Sequence, residues 1–176
     1  MKELFVVALI LFGTQFVRAQ FFKNTFYYEG EIGSIVSFFV EDVAGERHVV
    51  TFGGVNFRGG IGVHDEDDII FLGIDSGMEG YIRHDTGILP VYLNSRIGIP
   101  FSENDRLYFG FGYGKSFQIG PENFKGILHK YTIALSTKTK GENRTSYFLE
   151  IVNHGFNFPD DVPAISLNVG FTYTFE

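Results

Sequence analysis

Apolar and polar residues alternate strictly over the last dozen positions of the chain. Residues 165–175 place Ile, Leu, Val, Phe, Tyr and Phe at every second position, with Ser, Asn, Gly, Thr and Thr between them. Successive side chains of a β-strand point to opposite faces of the sheet. The pattern therefore predicts a terminal strand of about ten residues with one apolar face and one polar or crowded face.

The same period of two recurs along the chain and predicts eight strands. Gly, Asn and Asp separate the apolar segments at short intervals, and no segment carries a long 3.6-residue apolar period. The second strand is the hardest to phase, because Gly53-Gly54 interrupt it and Arg58-Gly59-Gly60 are expected to bend it. The predicted strands cover residues 25–40, 47–58, 69–83, 88–99, 106–117, 124–137, 145–154 and 165–175.

The two faces of these strands differ in a way that indicates a membrane environment. A soluble β-barrel turns large apolar residues inward and charges outward. Here one face is rich in Phe, Tyr, Leu and Ile, whereas the other consists of Gly, Ser, Thr and scattered ions. We therefore predict an all-β fold, an eight-stranded antiparallel up-and-down transmembrane β-barrel with a narrow polar lumen. The residues expected to face lipid include Phe109, Phe111, Tyr131, Leu149 and Phe171.

The N-terminus predicts secretion. A lysine at position 2 precedes a short apolar run that ends at Phe12, and Ala19 follows at a suitable cleavage position. The run is about ten residues long, too short to span a bilayer as a helix, although an uncleaved anchor is the alternative. We expect a signal peptide over residues 1–19 and a barrel domain over residues 20–176.

The position of both barrel termini orients the connections. If the termini lie in the periplasm, the connections near 41–46, 84–88, 118–123 and 155–163 face outward. Those near 64–68, 101–105 and 138–144 then face the periplasm. Neither set is long, which disfavours a role as an adhesin or receptor.

Charge and cysteine content exclude further classes. The chain carries a net charge of −7 and has no basic stripe, which argues against nucleic-acid binding. It contains no cysteine, so neither a lipoprotein anchor nor a disulfide framework is possible. No sequence feature indicates a cofactor.

Three segments resemble a known family. They are Leu89-Pro90-Val91-Tyr92-Leu93, the run from Tyr108 to Gly114, and the closing strand from Ser166 to Phe175. With them the chain resembles the small, porin-like outer-membrane β-barrel proteins of Gram-negative bacteria. The resemblance implies an outer-membrane location, outer-membrane lipid as a partner, contact with the barrel-assembly machinery during biogenesis, and a monomer. Such barrels include pores, enzymes and structural proteins, so the resemblance indicates no reaction.

One segment raises the possibility of catalysis. Asn153-His154-Gly155-Phe156-Asn157 resembles the His-x-Ser-Asn signature of outer-membrane lipid A deacylases, but Phe156 stands where the nucleophilic serine belongs. Glu150 shares the face of His154, yet four strand residues separate the two by about 13 Å, too far for a hydrogen bond. Without a neighbouring nucleophile or orienting acid, His154 is expected to be structural, and no enzyme is expected.

The acidic run from Asp65 to Asp68, next to His64, is a candidate cation site. A solvated turn is the favoured interpretation, because the ligand spacing of a calcium loop is missing. The five histidines lie on separate predicted elements, so we expect no metal site.

The charges of the predicted inner face carry both signs. Charges in a narrow interior must pair or stay hydrated, so a salt-bridged plug is favoured over a selective channel. We expect an integral outer-membrane barrel with a structural or envelope-interaction role, an occluded lumen and no catalysis. A narrow porin-like channel and a degenerate lipid A deacylase-like enzyme are the alternatives. The predicted lumenal network consists of Glu29, Glu31, Asp75, Glu79, Arg83, Asn94, Arg96, Lys130, Glu150 and His154.

Overall fold

The protein forms a closed barrel of eight strands. The computed structural model describes residues 25–41, 47–82, 84–120, 123–139, 141–158 and 162–176. The predicted signal peptide, the connection at 42–46 and Arg83 lie outside these residues. The described part of the chain contains no helix that is long and apolar enough to cross a membrane. The strands are β1 (Thr25–Glu41), β2 (Arg47–His64), β3 (Ile70–Tyr81), β4 (Thr86–Pro100), β5 (Asp105–Ile119), β6 (Lys125–Lys138), β7 (Arg144–Asn157) and β8 (Pro163–Phe175).

Closure comes from pairing between the first and last strands. Each strand pairs antiparallel with its neighbours in the chain, and β1 also pairs with β8, with Tyr28 opposite Phe175 and Val36 opposite Leu167. A closed sheet gives every strand two partners and leaves no edge with unpaired backbone groups. The predicted eight-stranded antiparallel barrel is confirmed.

The second strand is longer than its sequence pattern predicts. Arg58 and Gly59 pair with Glu31 and Gly30 of β1, and β2 continues without a break to His64. The predicted end of the second strand at residue 58 is therefore wrong. Neighbouring strands supply hydrogen bonds on both sides of Gly59 and Gly60, and these bonds compensate for the flexibility that glycine gives an isolated strand.

Large apolar side chains cover the outside of the barrel. The exposed fraction of the predicted lipid-facing residues ranges from 41% for Phe111 to 57% for Tyr131. All members of that set point outward: Phe109, Phe111, Tyr131, Leu149 and Phe171.

The inside is less polar than the sequence pattern predicts. We call the end of the barrel that holds Thr25 and Glu176 the proximal end and the opposite end the distal end. Small apolar clusters lie in the lumen near both ends and between them, so the inner face is not limited to the Gly, Ser, Thr and ions that the strand pattern emphasises. An eight-stranded interior is just wide enough for side chains to fill, so bulky residues close it. The proximal cluster is Tyr27, Phe71, Tyr108, Ala134 and Phe148, the distal cluster is Ile35, Tyr81, Ile88, Phe158 and Ala164, and Tyr92, Leu128 and Val152 lie between them.

Candidate functional site

The middle of the lumen holds a cluster of five charged side chains, which we call the central ion cluster: Arg58, Glu31, Glu79, Glu150 and Lys130. Arg58 is its hub. Its Nη1 lies 2.7 Å from Glu31 Oε1, its Nη2 lies 3.0 Å from Glu79 Oε1, and it also pairs with Glu150. Lys130 Nζ lies 3.0 Å from Glu150 Oε2 and 3.6 Å from Glu31 Oε2. Every carboxylate of the cluster therefore has a cationic partner.

The cluster is strongly desolvated, since the side chains of Arg58, Glu79 and Glu150 are at most 2% exposed. Moving a charge out of water costs several kcal/mol per ion, and only close pairing offsets that cost. Five strands contribute one member each, so the ion pairs join opposite walls of the barrel. This arrangement links five strands across the lumen.

A second polar layer lies toward the proximal end. Arg96 Nη2 donates to Glu29 Oε2 at 2.6 Å, and Asn94 donates to Asp75 Oδ2 at 2.6 Å. The guanidinium of Arg96 also lies 4.9 Å from the ring centre of Phe71, within the range of a cation–π contact. The layer thus connects the ion pairs to the proximal aromatic cluster.

A hydrogen-bonded group around His154 lies toward the distal end. Ser116 Oγ is 2.8 Å from His154 Nδ1, and His154 Nε2 is 3.1 Å from Glu79 Oε2. Tyr81 donates its hydroxyl to the same Glu79 oxygen at 2.9 Å. The expectation that His154 has neither a nucleophile nor an orienting acid is therefore wrong, because β5 and β3 bring both to it.

This serine, histidine and glutamate order matches the order of groups in a hydrolase triad, but the site is sealed. Ser116, His154 and Glu79 are each 0% exposed. Phe158 covers the distal side, where its ring packs 5.2 Å from Tyr81 and stacks 3.9 Å from His84. A substrate cannot reach Ser116 Oγ in this arrangement.

The turn between β2 and β3 closes the proximal end. Asp65 Oδ1 accepts hydrogen bonds from the amides of Ile69 and Ile70, both at 2.7 Å, as a turn-forming aspartate does. Asp68, by contrast, is only 5% exposed and points into the barrel, where Arg144 Nη1 lies 3.0 Å from its Oδ2. The acidic run is therefore only in part the solvated turn that the sequence predicts.

His64 connects two carboxylates at this end. Its Nδ1 lies 2.9 Å from Asp68 Oδ1 and its Nε2 lies 3.8 Å from Glu176 Oε2. Burial acts to raise the pKa of Asp68, but the His64 hydrogen bond and the charges of Arg144 and Arg106 hold that pKa below its ordinary value. Burial and the charge of Asp68 raise the pKa of Glu176.

The ligand atoms of His64, Asp68 and Glu176 lie within 4.8 Å of one another, a spacing that a metal ion could use. Arg144 already neutralises Asp68 at this point. The three side chains therefore fit an ion-pair network better than a cation site.

The structure places the sequence-predicted lumenal residues as follows. Arg83 lies outside the described residues, and the other members point into the lumen: Glu29, Glu31, Asp75, Glu79, Asn94, Arg96, Lys130, Glu150 and His154. Sequence reasoning missed Arg58, Tyr81, Ser116 and Arg144. For Arg58 a signal existed, because Val55 and Phe57 alternate with Asn56 and Arg58 and are 38% and 53% exposed.

Solved structures share this architecture. Neisserial surface protein A is 11% identical, with a TM-score of 0.65 over 86% of this chain and 97% of that chain. The barrel fold is that of Neisserial surface protein A. Ail of Yersinia pestis is 15% identical, with a TM-score of 0.43 over 86% of this chain and 98% of that chain. OprG of Pseudomonas aeruginosa is 13% identical, with a TM-score of 0.40 over 87% of this chain and 96% of that chain.

At these identities the similarity concerns the fold alone. The predicted resemblance to outer-membrane β-barrel proteins of Gram-negative bacteria is confirmed at that level. No protein-family profile matches the sequence, and no curated protein sequence matches it.

Proposed function

We propose that the protein is an integral outer-membrane barrel with a structural or envelope-interaction role, closed to solutes and without catalytic activity. It reaches the outer membrane after secretion across the inner membrane and cleavage of residues 1–19. There it is a monomer surrounded by outer-membrane lipid, inserted with the help of the barrel-assembly machinery.

The outer wall supports the membrane location. Apolar residues project outward along the strands, and exposed aromatic residues lie at both ends of the wall as well as in its middle. Phe26, Tyr28 and Phe175 are 73%, 62% and 51% exposed at the proximal end, and Phe52 is 56% exposed near the distal end. Transmembrane barrels carry an apolar band on their outer face, with aromatic residues at both membrane interfaces. In water the same wall would be a very large exposed apolar surface.

The filled lumen supports the closed state, and this is the observation that carries the proposal. From the proximal to the distal end, the lumen contains the Asp68–Arg144 ion pair, the proximal aromatic cluster, the central ion cluster and the Phe158 cover. Opening a channel would require breaking buried ion pairs, which costs about 3–5 kcal/mol for each pair that loses one partner.

Planar-bilayer recordings test the closed state. Protein refolded in detergent should first migrate differently on gels when it is not heated, which verifies that the barrel has formed. Its addition to a bilayer should then produce no reproducible conductance steps. Steps that change in size when Arg96 or Glu79 is neutralised would contradict the proposal and favour the porin-like channel.

A second candidate function rests on the contact between Ser116, His154 and Glu79. A lipid A deacylase-like hydrolase would use Ser116 as the nucleophile, and the Phe158 cover would have to move to admit an ester. Incubation of the folded barrel with lipid A should release no fatty acid if the first proposal holds. Release that is lost in both Ser116→Ala and His154→Ala would favour the hydrolase.

A further inference from the structure

A cation, Lys115, lies within the apolar outer wall. Lys115 lies on the exposed face of β5, opposite Val91 of β4 and Ile127 of β6. No hydrogen bond or ion pair joins Lys115 to another residue in the described part of the chain. A charge on the lipid face is costly, so a lysine at this position calls for an anionic partner or for contact with the headgroup region.

Lys115 borders a groove in the same wall. The groove has a volume of about 590 Å³ and is lined mainly by Ile74, Val91, Leu93, Phe117 and Ile127. This volume lies within the range of small-ligand sites, about 300–1,000 Å³. Its apolar lining suits an alkyl chain, while Lys115 provides one positive charge at its edge.

The position of Lys115 along the strand fits the border between acyl chains and headgroups. β5 ends at Ile119, four residues beyond Lys115. That corresponds to about 13 Å along the strand, or about 10 Å along the barrel axis at a tilt of about 40°. The lysine stem is long enough to carry its ammonium further toward the distal interface.

Neighbouring strands add polar groups at the same level. Tyr113 pairs with His129, whose ring lies 5.3 Å away, and His129 pairs with Asn153. Lys125 of β6 pairs with Phe117 and is exposed nearer the distal end. This side of the wall therefore combines two lysines with hydrogen-bonding groups, and the distal halves of β4, β5 and β6 contain no carboxylate.

We infer that this distal groove binds an anionic membrane lipid, with one acyl chain along the apolar lining and the headgroup phosphate on Lys115. The inference rests on the proposed membrane location. An anionic lipid is the one occupant that satisfies both halves of the site, because free phosphate leaves the groove empty and a neutral lipid leaves the charge uncompensated.

Native mass spectrometry of the refolded full-length mature protein tests this inference. Micelles should contain equal amounts of phosphatidylglycerol and phosphatidylcholine, and the lipid retained by the barrel is counted. The unaltered protein should retain phosphatidylglycerol about fivefold better, the preference expected from one basic side chain near an anionic surface. Lys115→Gln should abolish this preference, and Lys115→Arg should keep it.

Matched variants separate charge from shape. Lys138→Gln removes a lysine that pairs with Glu142 at the proximal end and should leave the preference unchanged. Val91→Trp fills the groove and should reduce retention of both lipids. All these positions face outward or lie at the rim, so each variant should keep the gel mobility of the folded barrel.

The inference is overturned if Lys115→Gln retains the preference, if Val91→Trp leaves retention unaltered, or if inorganic phosphate alone displaces phosphatidylglycerol from the groove. Failure of the unaltered protein to fold in micelles would instead contradict the proposed membrane location. The two failures are therefore distinguishable.

Discussion

At the scale of single residues, Arg58 has more ion-pair partners than any other side chain in the described part of the chain. It contacts Glu31, Glu79 and Glu150 from three different strands, and Lys130 is the other cation of the central ion cluster. Removing one member of a buried ion pair leaves an uncompensated charge, which costs more than the pair itself contributes.

Arg58→Gln should therefore lower the free energy of unfolding by about 3–5 kcal/mol. The measurement is urea unfolding in detergent micelles. Lys138→Gln is the matched control, because its pair with Glu142 is exposed and should contribute at most about 1 kcal/mol. Equal losses in the two variants would show that the central ion cluster does not stabilise the barrel.

The proximal ion pair should make stability depend on pH. The pKa of Asp68 is lowered in the folded protein, so the carboxylate stabilises the fold above the unfolded pKa of about 3.9 and loses this effect as pH falls through the lower folded pKa. Asp68→Asn should be less stable than the unaltered protein at neutral pH, and the difference should shrink below about pH 4.

Unfolding curves of both proteins in detergent, recorded between neutral and acid pH, check this prediction. A difference between the two that stays constant down to the acid limit would mean that Asp68 acts through packing rather than through its charge.

At the scale of strands, the period of two was sufficient to predict where strands lie and which face is apolar. It worked best where bulky and small residues alternate without interruption, as in β5 and β8. It failed in β2, where Gly53-Gly54 and Gly59-Gly60 interrupt the alternation, and the signal at Asn56 and Arg58 between them was overlooked. The sequence pattern of a single strand does not show the pairing with neighbouring strands that keeps such glycines in a strand.

Contacts across the lumen were beyond sequence reasoning for a different reason. Ser116 and His154 lie on β5 and β7, which are not adjacent in the sheet. Their distance depends on the closure and stagger of the barrel, which no single strand encodes. The pairing of Arg58 with Glu150 has the same origin.

Glycine in β8 is required by a close approach between strands. A Cβ on Gly170 would lie 2.2 Å from the Ile32 carbonyl oxygen and 2.7 Å from the Phe148 ring, whereas one on Gly30 meets nothing within 4 Å. Gly170→Ala should therefore destabilise the barrel by about 1–3 kcal/mol, as overpacking does, and Gly30→Ala should be nearly neutral. Urea unfolding of the pair in micelles checks this; similar midpoints would contradict the β1–β8 register.

Depth should control the cost of charge on the wall. Phe111 lies near the middle of β5 and Phe175 lies at the end of β8. Phe111→Arg should cost about 2–4 kcal/mol and Phe175→Arg about 0–1 kcal/mol. Reversible unfolding from lipid vesicles measures both; equal costs would place Phe111 outside the membrane core.

At the scale of the whole molecule, one assignment matters most, namely which face of the barrel meets lipid. The wall is apolar outside, and the lumen is filled by the ion pairs and the apolar clusters. The assignment underlies the proposed location, the closed lumen and the distal groove. An absence of cysteine allows single labels to be introduced at any position.

Spin-label accessibility in lipid vesicles tests this assignment most directly. Labels on Phe111→Cys and Leu149→Cys should be accessible to oxygen, which partitions into lipid, and shielded from a water-soluble nickel chelate. A label on Glu103→Cys, in the exposed turn after β4, is the control and should respond to the chelate. Strong quenching of Phe111 and Leu149 labels by the chelate, with little effect of oxygen, would contradict the account.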